Sequence, residues 1–146
     1  MSKGNTFEND LLQLIFNNVD IADIGDAGGL QNSATAGSLY VALHTADPGE
    51  AGTAATNETA YTNYARQAVA RSGAGWTVST NTATNASQIT FPQCGVTGAT
   101  ITHVSITTAS SGSSKILYSG ALNSSLAVAE NITPLFAASG LTVTED

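Results

Sequence analysis

His44, Asp47 and Glu50 lie within seven residues of one another in the stretch "LYVALHTADPGEAG", residues 39–52. One imidazole and two carboxylates form a ligand set that suits several divalent metal ions. A simpler interpretation is stronger, because His44 ends an apolar run with the alternation of a strand and the Asp-Pro-Gly triplet at Asp47 has the composition of a tight turn. We therefore predict a turn here, and no metal-binding or catalytic residue.

Three further candidates give equally weak signals for chemistry. His103 lies within a predicted strand, "ATITHVSITT", where a structural histidine is the expected role. Asp20, Asp23 and Asp26 recur every three residues, which does not match the ligand spacing of an EF-hand loop. Cys94 has no basic residue close in sequence to activate its thiol, so we expect a buried, unreactive cysteine.

The common nucleotide-binding and hydrolase motifs are absent from the sequence. There is no G-x-S-x-G elbow, no G-x-x-x-x-G-K loop and no G-x-G-x-x-G fingerprint. We predict a protein that is not an enzyme and uses no cofactor.

Arg66 and Arg71 provide half of the positive charge and flank "QAVA". Five residues apart on a regular strand, they would point to opposite faces. One would then face solvent while the other reaches a buried or intersubunit carboxylate. Trp76, the only tryptophan, is expected in the core, with an interface anchor as the alternative.

The composition argues against nucleic-acid and membrane partners and favours β structure. The net charge of −7 leaves no basic stripe for phosphates, which argues against nucleic acid. No apolar run reaches the length of a membrane span, and no signal peptide is apparent, so we expect a protein made in a cytoplasm without a membrane partner. Only 10% of the residues are charged, and Ser, Thr, Asn and Gly replace them, as is typical of short strands joined by turns.

One helix is predicted, over residues 5–19. Asn5 and Glu8 have the spacing of a capping box at its start. Leu12 and Phe16 widen the apolar surface, which indicates contact with the protein's own sheet or with another subunit. The main apolar stripe, with spacings of three and four, consists of Phe7, Leu11, Leu14, Ile15 and Val19.

The sequence predicts one domain of 146 residues, with a helical N-terminal arm over residues 1–19, a connector over residues 20–37 and a β body over residues 38–146. The expected fold class is mainly β: an antiparallel β-sandwich or jelly-roll-like domain with one N-terminal α-helix. The predicted strands cover residues 39–44, 61–70, 76–80, 88–91, 100–107, 115–122, 126–129 and 141–144.

Several stretches together resemble a known family. The helix "GNTFENDLLQLIF", the segment "LYVALHTADPGEAGTAATNETAYTNYARQAVARSGAGWTV" and the later "ITFPQCG", "ATITHVSITTASSGSSKILYSGAL" and "LTVTED" are similar to small virion proteins of tailed bacteriophages. Members are often labelled tail-fibre-like, and in some phages they fit head decoration or cement proteins better. The resemblance implies a non-enzymatic, β-rich structural protein and supplies no catalytic residues.

We predict from this resemblance a capsid decoration protein that binds and stabilises the assembled head on its exterior. Its expected partners are the major capsid protein and further copies of itself. The alternative is a tail-fibre or tail-associated adhesin that contacts the host surface, for which Tyr61 and Tyr64 would be natural contacts. The predicted interface residues are Phe7, Leu11, Leu12, Ile15, Phe16, Arg66 and Arg71.

Overall fold

A computed structural model describes residues 2–146, so Met1 of the predicted helical arm lies outside it. The chain has one helix and antiparallel sheets, which confirms the predicted mainly β fold class and is consistent with a β-sandwich. The elements are α1 (Asn5–Asn17), β1 (Ser38–His44), β2 (Gln67–Ala70), β3 (Trp76–Ser79), β4 (Thr82–Asn85), β5 (Ile89–Thr90), β6 (Ala99–Thr107), β7 (Ile116–Val128), β8 (Leu135–Phe136) and β9 (Thr142–Thr144).

The strand predictions were correct for β1, β3, β5, β6 and β9 to within a residue or two and wrong elsewhere. The predicted strand over residues 61–70 is only the short β2, because Asn63 adopts a left-handed φ of 78° that interrupts extended structure. The two predicted strands at 115–122 and 126–129 are one long strand, β7. The sequence analysis missed β4, whose "TATN" lacks an apolar pattern, and the two-residue β8.

The described chain divides into two compact units that alternate along the sequence. Unit 1 comprises the residues up to Ser38, Val69–Gln88 and Phe136–Asp146. Unit 2 comprises Leu39–Ala68 and Ile89–Leu135.

Unit 1 is built from α1 and a three-stranded sheet with the order β3-β4-β9. The helix packs on β3 and β4, and the rings of Phe16 and Trp76 contact each other with centroids 4.7 Å apart. Leu12 and Phe16, together with Glu8, form the buried face of the helix. The helix therefore packs mainly through Leu12 and Phe16, which lie beside the predicted apolar stripe, and not through the stripe itself.

The predicted capping box at the start of α1 is wrong. The helix N-cap is Gly4, which makes no side-chain cap, and Asn5 is already the first helical residue. At the other end, Asn18 adopts a left-handed φ of 58° and ends the helix.

Unit 2 contains most of a four-stranded sheet with the order β2-β1-β6-β7, in which β6 is antiparallel to both β1 and β7. Strand β1 lies inside this sheet, and its residues from Val41 to His44 are all buried. In the ladder between β1 and β6, His44 lies opposite His103. A ring cluster of Tyr61, Tyr64 and Phe91 completes the core of this unit.

Within the predicted connector, residues 20–37 of unit 1, backbone hydrogen bonds close a loop. Ile21 and Leu30 form a two-way backbone bridge, with N–H to O distances of 3.0 and 2.8 Å. Gly29, at a φ of 60°, lies so close to the Ile21 carbonyl that a Cβ would be 1.8 Å from its oxygen. Only glycine fits this closure.

Candidate functional site

His44 is fully buried and holds a structural position. Its Nδ1 lies 2.9 Å from the carbonyl oxygen of Thr56, and its Nε2 lies 2.8 Å from Oγ of Ser105. A carbonyl can only accept, so Nδ1 carries the proton and Nε2 accepts from the Ser105 hydroxyl. Burial lowers the pKa of His44 below 6.5, against the opposing effect of the Thr56 hydrogen bond, so the ring is neutral near pH 7.

The acidic residues next to His44 in sequence form the predicted turn. The backbone N–H of Gly49 donates to the carboxylate of Asp47 over 2.8 Å, and Gly49 has a φ of 69°. Asp47 and Glu50 are both exposed, whereas the His44 ring is buried. Within residues 2–146 there is no group of three or more His, Cys, Asp or Glu side chains placed to hold a metal ion.

Arg66 is the centre of the most extensive polar cluster in unit 2. Its Nε and one terminal nitrogen donate to the two carboxylate oxygens of Glu58 at 2.6 and 2.7 Å. The remaining donors reach the carbonyls of Ala109 and Gly112 and the hydroxyl of Ser114, at 2.8 to 3.0 Å. All five N–H groups of the guanidinium are therefore used.

This Arg66 cluster fixes the loop that precedes β7. The side chain of Arg66 is 1% exposed and that of Glu58 is 18% exposed. The hydrogen bonds to Glu58 raise the pKa of Arg66 further above its ordinary value. Because each contact lies inside unit 2, the expected buried carboxylate for one arginine is found within the chain and not in another subunit.

Of the two tyrosines proposed as adhesin contacts, Tyr61 is a core residue and Tyr64 is half-buried. Tyr61 is buried and donates to the carbonyl of Pro92 over 2.9 Å, and burial raises its pKa to about 12. Tyr64 accepts from the N–H of Leu43 and donates to Glu58. Both hydroxyl groups therefore bind groups of unit 2, and the burial of Tyr61 does not favour its suggested role as an adhesin contact.

Arg71 belongs to unit 1 and binds backbone carbonyls. It donates to the oxygens of Leu14 and Ile15 at 2.7 Å each, and to that of Ala36 at 3.1 Å. Leu14 and Ile15 are among the last four helical residues, whose carbonyls lack intrahelical partners. Since α1 has no basic residue in its last turn, Arg71 supplies the positive charge that its C-terminal end favours.

The predicted interface residues of the helix separate into two groups. Leu12 and Phe16 are fully buried in unit 1. Phe7 is 39% exposed, and Leu11 and Ile15 are half-buried. Any contact of this helix with a partner would therefore involve the second group.

Other residues singled out in the sequence have structural positions. Cys94 is a buried free cysteine, as predicted, and Trp76 is fully buried. His103 is half-buried, with Nδ1 2.9 Å from the hydroxyl of Thr102. The carboxylates of Asp20 and Asp26 accept backbone N–H groups that shape the connector.

The sequence analysis missed Asn85, which organises the C-terminal part of unit 1. Its amide donates to the carbonyls of Ser87 and Ala137 at 2.8 and 2.7 Å and accepts from the N–H of Leu141 at 2.8 Å. The side chain is fully buried. One asparagine among many in a Ser-, Thr- and Asn-rich sequence gives no signal for this role.

Charge is distributed unevenly between the two units. Unit 1 has seven acidic and two basic residues, which leaves −5, whereas unit 2 has four acidic and two basic residues, which leaves −2. Lys3 pairs with Glu145 at 3.1 Å, and the two arginines bind internal groups. Of the four cationic residues, this leaves Lys115 as an exposed cation with no ion pair in the described chain.

Comparison with known proteins places the chain in a family. No curated protein matches it, and no helix within residues 2–146 has both the length and the apolarity to cross a membrane. A family model described as "Podophage GP4 fiber I protein gp80" matches residues 2–144, nearly the whole chain. The protein therefore belongs to this family of phage virion proteins, the podophage GP4 fiber I protein gp80 family.

Proposed function

We propose that the protein is a non-enzymatic structural subunit of a fibre carried on the outside of a phage particle. The observation that carries this proposal is the match of the fibre family over residues 2–144. The engaged polar clusters support it, because His44, Arg66 and Arg71 each bind groups of their own unit. These are interactions that hold a fold together.

Capsid decoration, the function predicted first from the sequence, remains a second candidate. It is favoured by the surface of unit 1, which combines a charge of −5 with exposed apolar side chains at Phe7, Val19, Ile24 and Leu30. Acidic and apolar groups side by side suit adhesion to a basic patch on the major capsid protein. Such a protein would stabilise the assembled shell because it binds the shell and not the separated subunits.

Gold-labelled antibodies against the protein, applied to intact virions, distinguish the two functions. A fibre subunit gives label at a few discrete projections, and a decoration protein gives dense label over the head. Antibody against the major capsid protein and pre-immune serum provide the controls. Absence of the protein from purified virions would reject both functions.

A helix variant tests how the protein attaches to the particle. Deleting the helix is a poor test, because Leu12 and Phe16 belong to the core of unit 1. Phe7→Asp instead places a charge at an exposed apolar position, and Thr6→Asp places the same charge on its exposed neighbour. We expect Phe7→Asp to lower the copy number per virion more than Thr6→Asp, with Trp76 fluorescence unchanged in both; equal copy numbers would exclude Phe7 from the contact.

A further inference from the structure

Strand β7 is the longest strand of the chain and lies at the edge of its sheet. It pairs with β6 on one side, and in the order β2-β1-β6-β7 no strand of the described chain follows it on the other. The other edge strands of the described sheets have only two to four residues: β2, β3, β5, β8 and β9. An edge strand presents a row of backbone N–H and C=O groups that can pair with another chain.

Only part of β7 is regular enough to pair. Its register with β6 changes between Leu126 opposite Ile101 and Ala121 opposite His103. Residues 122–125 thus form a bulge against the single residue Thr102. The segment before the bulge, residues 116–121, has six residues and one smaller register shift at Leu117, because Tyr118 lies opposite Ile106 and Ile116 opposite Thr107. We call it the β7 edge segment.

Apart from the register shift at Leu117, the β7 edge segment lacks the features by which proteins usually protect sheet edges. It contains no proline, and no charged residue occurs between Lys115 and Glu130. No acidic residue occurs between Glu58 and Glu130 either. The chain has a net charge of −7, yet a second copy can approach the β7 edge segment without bringing carboxylates of the two chains together.

The segment is also complementary to itself. In an antiparallel pair centred on Ser119, Leu117 lies opposite Ala121 of the second copy and Tyr118 lies opposite its Gly120. Leu117 and Tyr118 then each meet a small residue, and Ser119, Gly120 and Ala121 are exposed in the single chain. A contact of this kind uses the same surface on both copies and closes as a two-fold dimer.

We propose that the β7 edge segment pairs with the same segment of a second copy, in antiparallel orientation, and extends the four-stranded sheet across a dimer. The partner is a second copy because the segment is uncharged and matches its own reverse in side-chain size. This proposal goes beyond the proposed function and does not depend on it, since a fibre subunit and a decoration protein can both be dimers.

Opposite charges at Ser119 test the proposal with the purified full-length protein. Light scattering after size exclusion gives its mass over a range of concentrations, and we expect a dimer. Ser119→Asp and Ser119→Lys each place like charges opposite one another across the two-fold axis, which weakens dimerisation by at least about tenfold. Mixing the two variants places Asp opposite Lys and restores the dimer.

Ser113→Asp and Ser113→Lys are the matched controls, because Ser113 is exposed in the loop before β7. We expect both to dimerise as the unaltered protein does, and circular dichroism shows whether each variant is folded. A monomer at every concentration would overturn the proposal, as would a dimer that survives both Ser119 variants. Loss of the dimer without rescue on mixing would show that Ser119 does not face its own copy.

Discussion

Arg66 and Arg71 are five residues apart in the sequence and stabilise different units in different ways. In unit 2, Arg66 is buried and forms two hydrogen bonds with the carboxylate of Glu58. In unit 1, the half-buried Arg71 binds carbonyls at the end of α1 and in the connector. Arg66 therefore neutralises the negative charge of the Glu58 carboxylate, whereas Arg71 neutralises the partial negative charge of the carbonyls at the C-terminal end of α1.

The same contrast extends to the surfaces of the units. Unit 1 displays most of the acidic residues together with exposed apolar side chains on the helix and connector. Unit 2 has fewer charges and a long, uncharged edge strand. The two proposals use these surfaces separately: adhesion to a basic patch uses unit 1, and pairing through the β7 edge segment uses unit 2.

Tryptophan fluorescence and tyrosine absorbance report on the unfolding of the two units separately. The only tryptophan, Trp76, lies in unit 1, and all four tyrosines, Tyr40, Tyr61, Tyr64 and Tyr118, lie in unit 2. If the chain is the single domain that its length predicts, both signals should change together during unfolding. Separate transitions would show that the units unfold independently.

Removing Arg66 should have the largest effect on stability. We expect Arg66→Ala to lower the free energy of unfolding by about 3–5 kcal/mol, because it leaves the carboxylate of Glu58 largely buried without its partner. Urea denaturation followed by tyrosine absorbance measures the change. The double variant Arg66→Met/Glu58→Leu should lose less, and a loss below about 1 kcal/mol for Arg66→Ala would contradict a buried ion pair.

Truncating Leu12 should have the next largest effect. Leu12→Ala should cost about 2–5 kcal/mol, since the side chain is fully buried in unit 1 and its removal leaves a cavity. Phe7→Ala, on the same helix but partly exposed, is the matched control and should change stability by less than about 1 kcal/mol. Denaturation followed by Trp76 fluorescence compares them, and equal losses would mean that the helix packs through another face.

Removing Arg71 should cost less than removing Arg66. Arg71→Ala leaves backbone carbonyls without a donor but strands no buried charge, so we expect a loss of about 1–2 kcal/mol. Arg71→Lys keeps the positive charge and should restore part of it. Trp76 fluorescence reports the change, and a loss as large as that of Arg66→Ala would remove the contrast between the two arginines.

Much of the fold follows from local patterns. The helix, β1 and β6 have clear apolar periodicity, although the helix ends at Asn17, two residues before its predicted end at residue 19. The Asp-Pro-Gly turn at Asp47 is equally local, because its hydrogen bond spans two residues. Elements of this kind are determined by residues close in sequence, which is why the sequence alone predicts them.

The roles of the arginines are not predictable in this way. Arg66 reaches Ala109, and Arg71 reaches Leu14, which lies 57 residues away. Sequence spacing assigns both arginines to a strand, yet both lie outside β2 and bind groups that only tertiary structure brings near. The burial of Leu12 and Phe16 similarly depends on Trp76 and its sheet, which no periodicity within the helix reveals.

The smallest expected effect concerns the neutral histidine of unit 2. The pKa of His44 is lowered by burial, so the folded protein binds its proton less readily than the unfolded chain, whose histidine has the ordinary value of 6.5. Stability contributed by His44 is therefore complete above about pH 6.5 and declines as the pH falls from there toward the lowered pKa in the folded state. Urea unfolding at a series of pH values measures the decline.

His44→Gln removes this titration and serves as the matched comparison. The amide of glutamine has a donor for the Thr56 carbonyl and an acceptor for the Ser105 hydroxyl. The variant therefore separates the effect of protonating His44 from the effect of its hydrogen bonds. Between pH 7 and 5.5 the unaltered protein should lose more stability than His44→Gln, because both share the same carboxylates. Parallel pH profiles would mean that His44 is protonated as easily in the fold as in the unfolded chain, and that its burial does not favour the neutral ring.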